Sequence, residues 1–111
     1  MIGDFGGRYV LDDDGNPRPE PDLMTWARWF ESFDRHVALD RLPNGVSVST
    51  VFLGLDHSWA FNGPPILWET MVHDGKNWID QDRYASLAAA KEGHAAALLR
   101  EKMKMHAAMK S

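Results

Sequence analysis

The sequence predicts an α+β domain of two layers: an antiparallel sheet of three to five strands packed against two helices, in the order β-α-β-β-β-(β)-α. Three observations carry this. Apolar residues recur at helical spacing from Leu23 and again from Leu87, and short strand-like runs rich in Val, Thr, Phe and Trp fill the stretch between. Two of those runs flank Pro43-Asn44-Gly45, whose Asn-Gly supplies the φ > 0 positions of a hairpin turn. A sheet so built hides its apolar face most simply beneath both helices.

Taken in order, residues 1–7 are a glycine-rich, patternless lead. Arg8-Tyr9-Val10-Leu11 reads as a short strand that stops at Asp12. Asp12-Asp13-Asp14-Gly15-Asn16-Pro17 is a dense turn signal, because Gly and Asn accept positive φ and Asp side chains close Asx-turns. With Gly15 set at the sixth position of an EF-hand loop, Val10 and Pro21 fall where carboxylates are required, so the run is a turn and not a calcium site. Pro17, Pro19 and Pro21 alternate with Arg18 and Glu20 and predict an extended connector. Asp22 is then a good N-cap for an amphipathic helix carrying Leu23, Trp26, Ala27, Phe30 and Phe33.

The hairpin pairs Val37–Leu42 with Val46–Leu53. A third strand, Ile66–Val72, ends at Asp74-Gly75, and Trp78–Tyr84 adds a short fourth against the strand-averse Asp80, Gln81 and Asp82. Pairing about the loop near Ala60 sets Phe52 opposite Glu69 and Val48 opposite His73. Ser86 caps a closing helix on which Leu87, Ala90, His94, Leu98 and Met105 recur, while Arg100, Lys102 and Lys104 suit the negative end of its dipole. Fraying is expected after Met103, which leaves a single domain over 8–105 and a tail over 106–111.

Composition narrows the function. At 111 residues the chain holds one domain, and 44% hydrophobic with 25% charged residues is a folding composition. Its five Trp and five Phe are a large share of what such a domain can bury, so most are expected in the core. A net charge of −4 lacks the basic footprint of phosphate-driven DNA or RNA binding. The absence of cysteine excludes disulfides, thiolate zinc sites and thiol nucleophiles, and it fits a reducing compartment. The longest apolar runs are far below the roughly 18–20 residues that span a bilayer, and the first residues lack the pattern of a signal peptide, so the expected location is cytoplasmic.

No complete catalytic motif is present. The five histidines, His36, His57, His73, His94 and His106, form no H-x-H, H-x-x-x-H or H-E-x-x-H spacing, so no metal or other cofactor is expected. Asp56-His57, at a strand end, is the best polar candidate, since a carboxylate beside an imidazole tunes it or holds one tautomer. Its simpler reading has Asp56 capping the turn while His57 packs on Trp59. Glu69, in an apolar strand, either faces solvent or is half-buried with a partner such as Arg83. His94 follows Gly93 inside the last helix, where a glycine costs about 1 kcal/mol unless something needs close approach; core packing and ligand contact both account for it. Ser49, Thr50 and Ser58 lie in no nucleophile elbow. Trp59, Phe61, Trp68 and Trp78 are more aromatics than one small core readily takes, and a surplus of this kind marks a binding surface.

Several segments carry a resemblance: Tyr9–Asp12 with Asp14–Pro17, Leu23 with Trp26-Ala27 and Trp29–Glu31, Val48–His57, Pro64–Met71, Arg83-Tyr84 and Gly93-His94. Together they resemble a family of small bacteriophage and prophage proteins, over Tyr9 to about Leu99. Ser-Thr-Val-Phe-Leu-Gly-Leu-Asp-His is the most specific part. Family members often carry a glycine-rich loop after Asp-His, where this chain has Ser58-Trp59-Ala60-Phe61. The resemblance implies a phage setting and brings no established activity or catalytic residues.

The expected function is that of a non-enzymatic phage accessory protein, in host takeover or anti-defence. It binds a host or phage protein, or itself, through the loop Asp56–Pro65 and the neighbouring sheet, with Asp56, His57, Trp59, Phe61, Glu69 and His94 as binding residues. The alternatives are a small-ligand, nucleotide-like binder or hydrolase using Asp56, His57 and Glu69, and a minor virion component that oligomerises through the last helix.

Overall fold

The computed structural model describes residues 7–58 and 63–110. It is an α+β fold of two antiparallel sheets and two helices. A two-stranded ribbon, β1 (Tyr9–Leu11) and β2 (Pro17–Pro19), precedes α1 (Leu23–Ser32). Four strands follow, β3 (His36–Arg41), β4 (Ser47–Phe52), β5 (Trp68–His73) and β6 (Trp78–Tyr84), which form a meander in sequence order. The chain closes with α2 (Leu87–Lys110).

The first correction is β2, expected as a connector. Its backbone bonds to β1 run through Asp12 N–H to the Asn16 carbonyl and Glu20 N–H to the Arg8 carbonyl. By the alternation of antiparallel ladders, the pairs Tyr9↔Pro19 and Leu11↔Pro17 are then non-hydrogen-bonded ones, where a missing N–H costs nothing. Alternate prolines thus fit one edge of a ribbon. The ribbon is hooked to the end of β4 by Tyr9 N–H to the Gly54 carbonyl and Asp56 N–H to the Gly7 carbonyl, both 2.8 Å.

Trp26 locks that junction: its Nε1–H is shared between the carbonyls of Tyr9 and Gly54, each at 3.1 Å. Gly54 has φ 76°, and a Cβ there would press on the Phe30 ring at 3.2 Å, so this position suits glycine. Farther along α1, Trp29 meets the buried Phe52 edge-on, with centroids 5.8 Å apart. Phe52 belongs to the sheet face that also carries α2, so both helices lie in one layer.

The Asp22 carboxylate caps α1 by accepting from Thr25 N–H at 2.9 Å and from the Thr25 hydroxyl. Those bonds hold its carboxyl below the usual carboxylate range. A depressed folded-state pKa contributes stability that is fully present above the unfolded value and is lost as pH falls through the folded one. Asp22→Ala therefore lowers the melting temperature at neutral pH, and the gap to wild type closes in acid. A gap independent of pH in thermal melts would remove the carboxylate from the account.

Along β4 and β5 burial alternates strictly: Val48, Thr50 and Phe52, and Trp68, Thr70 and Val72, face α2. The observed pairs are Phe52↔Trp68 and Val48↔Val72, one residue from the expected register. The expected register would have set Glu69 opposite Phe52 in the core; the observed one sets Trp68 there and turns Glu69 to the other face. The core divides into two adjoining clusters. One gathers Val46, Val48, Val72 and Ala97, the other Phe52, Leu67, Trp68 and Ala90. Of the described Trp and Phe residues, Phe52 and Trp68 are buried, Trp26, Trp29 and Phe30 half-buried, and Phe33 and Trp78 exposed. The core therefore takes fewer of them than expected.

The fourth strand is complete despite Asp80, Gln81 and Asp82, because β6 is an edge, where charges oppose further pairing. Asp80 is tied back to α2 by Arg100 at 2.6 Å. A second correction concerns α2, which shows no fraying after Met103 and runs unbroken to Lys110. The last turns are rich in Ala, Lys and Met, all good helix formers. The first six residues of the predicted lead lie outside the described residues, as do Trp59 and Phe61.

Candidate functional site

Two inward-facing threonines, Thr50 on β4 and Thr70 on β5, are cross-strand partners in the middle of the apolar face. Their hydroxyls meet at 2.5 Å. His94 descends onto them from α2 with Nδ1 2.7 Å from the Thr50 hydroxyl, and its Nε2 lies 2.7 Å from a carboxylate oxygen of Asp40 on β3. An ionised carboxylate only accepts, so Nε2 carries a hydrogen toward Asp40. With the ring neutral, Nδ1 then accepts from Thr50, and Thr50 accepts from Thr70. One directed chain satisfies every member, as buried polar groups require.

The residue types are those of an acid–base–nucleophile relay, but their depth is inverted. Thr50 is 0% exposed, whereas the Asp40 side chain is 47% exposed. Nucleophilic catalysis needs the hydroxyl where a substrate can reach it. Here the hydroxyl is at the bottom and the carboxylate in water, so the chain fastens α2 to three strands. Sequence reading singled out His94 and set Thr50 aside as a hydroxyl outside any nucleophile elbow, but missed Asp40 and Thr70. The available signal was the alternation of β4 and β5, which places one threonine at the centre of each inward-facing set.

The other predicted residues do not converge on His94. Asp56 accepts at one carboxylate oxygen from Ser58 N–H (2.8 Å) and Ile66 N–H (2.9 Å), closing the loop between β4 and β5. His57 Nδ1 bonds the Leu55 carbonyl at 2.8 Å rather than its neighbour Asp56. Glu69 lies on the sheet face opposite His94, where it accepts from Arg83 Nε at 2.9 Å and Gln81 Nε2 at 2.6 Å. Of the two sequence readings of Glu69 the second holds, since its side chain is only 14% exposed and is partnered by Arg83, on the face away from the helices. Among the described residues no group of three or more His, Asp or Glu side chains is placed to hold a metal ion.

Among the described residues no helix covers that second face. Its cross-strand ranks are Leu39, Ser49, Met71 and Gln81; Val51, Glu69 and Arg83; and Arg41, Ser47, His73 and Trp78. Trp78 is 62% exposed, with its ring edge-on to His73 at 4.6 Å. Among the described residues no helix is long and apolar enough to cross a membrane. Comparison with protein-family models, with curated proteins and with solved structures finds no match to this chain.

Proposed function

We propose that this protein acts by binding another protein, without catalysis, and that the face of the sheet opposite α2 is its recognition surface. The carrying observation is the apolar set on that face, exposed at Leu39 and Trp78 on its edges, with the half-buried Met71 and Val51 between them. An antiparallel sheet with one solvated face usually turns polar residues outward, so an outward Trp, Leu, Met and Val mark an interaction site. The Glu69–Arg83–Gln81 cluster supplies paired polar groups beside them, as at an interface rim. The resemblance of Val48–His57 and Pro64–Met71 to small phage and prophage proteins supports a host or phage protein as the partner. Host takeover or anti-defence is the role it favours.

The test is capture from infected cells, identification by mass spectrometry, and titration of the purified partner against variants. Leu39→Ser/Trp78→Ala should weaken binding at least about tenfold, as truncation of a Trp that anchors an interface does. A Trp59→Ala/Phe61→Ala variant, run beside it, measures the contribution of the loop expected from the sequence. Unchanged affinity of the sheet variant, or loss confined to the loop variant, would overturn the assignment.

A further inference from the structure

The side of α2 turned away from the sheet is also apolar. Its sheet-facing line is Ala90, His94, Ala97 and Glu101, all buried. Half a helical turn away run Glu92, Ala96, Leu99, Met103, His106 and Lys110, spaced three or four residues apart and all exposed. Leu99 and Met103, at the centre, are 59% and 63% exposed. Open cavities of about 470 and 630 Å³ flank the stripe and share Met103 and Ala107 in their walls.

We propose that this stripe docks against the same stripe of a second copy, as an antiparallel helix pair about a two-fold axis. The order of the stripe reads as its own complement. An axis crossing level with Glu101 sets Leu99 of one copy beside Met103 of the other and the small Ala96 beside His106. It also sets Glu92 at one end beside Lys110 at the other. The two charges stand about 27 Å apart on each helix at 1.5 Å per residue, one acidic and one basic, so antiparallel pairing matches both and parallel pairing neither. Arg100, on the flank, is neutralised within its own chain by Asp80 at 2.6 Å. The long stem of Lys102 covers the other flank of the seam with its charge in water. This interface is separate from the sheet face of the preceding section.

Sedimentation equilibrium of the full chain over a concentration series tests the pairing. Wild type should show a concentration-dependent dimer, and Leu99→Glu/Met103→Glu should be monomeric with an unchanged circular dichroism spectrum. Glu92→Lys should weaken the dimer about fivefold, the size of the two exposed ion pairs it removes from the symmetric dimer, and Glu92→Lys/Lys110→Glu should restore it. A monomer at every concentration, or a dimer that survives Leu99→Glu/Met103→Glu, would overturn the proposal. A charge swap without restoration would overturn the antiparallel arrangement.

Discussion

Gly93→Ala should destabilise this protein, although in an exposed helix interior the same change adds about 1 kcal/mol of stability. A Cβ at position 93 would lie 2.0 Å from the Tyr84 hydroxyl oxygen and 2.3 and 2.5 Å from two of its ring carbons. Tyr84 ends β6 and packs on the cluster of Phe52, Leu67, Trp68 and Ala90. Either α2 lifts from the edge of the sheet or the ring abandons that cluster, and overpacking of this kind costs about 1–3 kcal/mol. Urea denaturation should place the midpoint below wild type. Gly93→Ala/Tyr84→Leu, with the obstruction gone, should be more stable than Tyr84→Leu alone. A stable single variant would mean that α2 does not approach β6 as described.

That position shows how far sequence carries. A glycine amid Ala, Lys, Glu and Leu already asks for a close approach, but nothing local names Tyr84 as the cause. The Asn44-Gly45 turn was legible because its chemistry is local; Gly45 has φ 91°. The β4–β5 register was legible in principle. The expected pairing was centred on the loop, whereas the alternation of Trp68, Thr70 and Val72 against Val48, Thr50 and Phe52 fixes the true one. Strand β2 escapes the sequence because alternating prolines fix φ and read as an extended connector, and only the ladder shows that their missing donors are not needed. The tail of α2 was read as frayed because its periodic core contacts stop, yet helix-forming residues continue the helix beyond them. At the candidate site, His94 was visible as a residue, while its partners lie 44 and 54 positions away in sequence, where no spacing rule reaches.

His94→Leu should cost about 1–3 kcal/mol, the price of leaving a buried hydroxyl without its partner. Thr50 loses the acceptor for its proton, and Thr70, whose hydroxyl rests on Thr50, loses the end of its chain. Asp40 contributes little to the loss, because its half-exposed carboxylate returns to water. Thr50→Val alone should be similarly damaging, since it strands both the His94 Nδ1 and the Thr70 hydroxyl. The triple variant Thr50→Val/Thr70→Val/His94→Leu removes every member that would be left unpaired, and apolar groups of matching shape replace them. It should recover most of the stability lost by either single change, a non-additivity that urea denaturation of the set reads directly. Additive losses would mean that the three side chains act as separate contacts. Recovery by the triple variant would leave α2 seated on the sheet by packing alone. Binding through the outer face should then persist in that variant, because none of the three side chains reaches that surface.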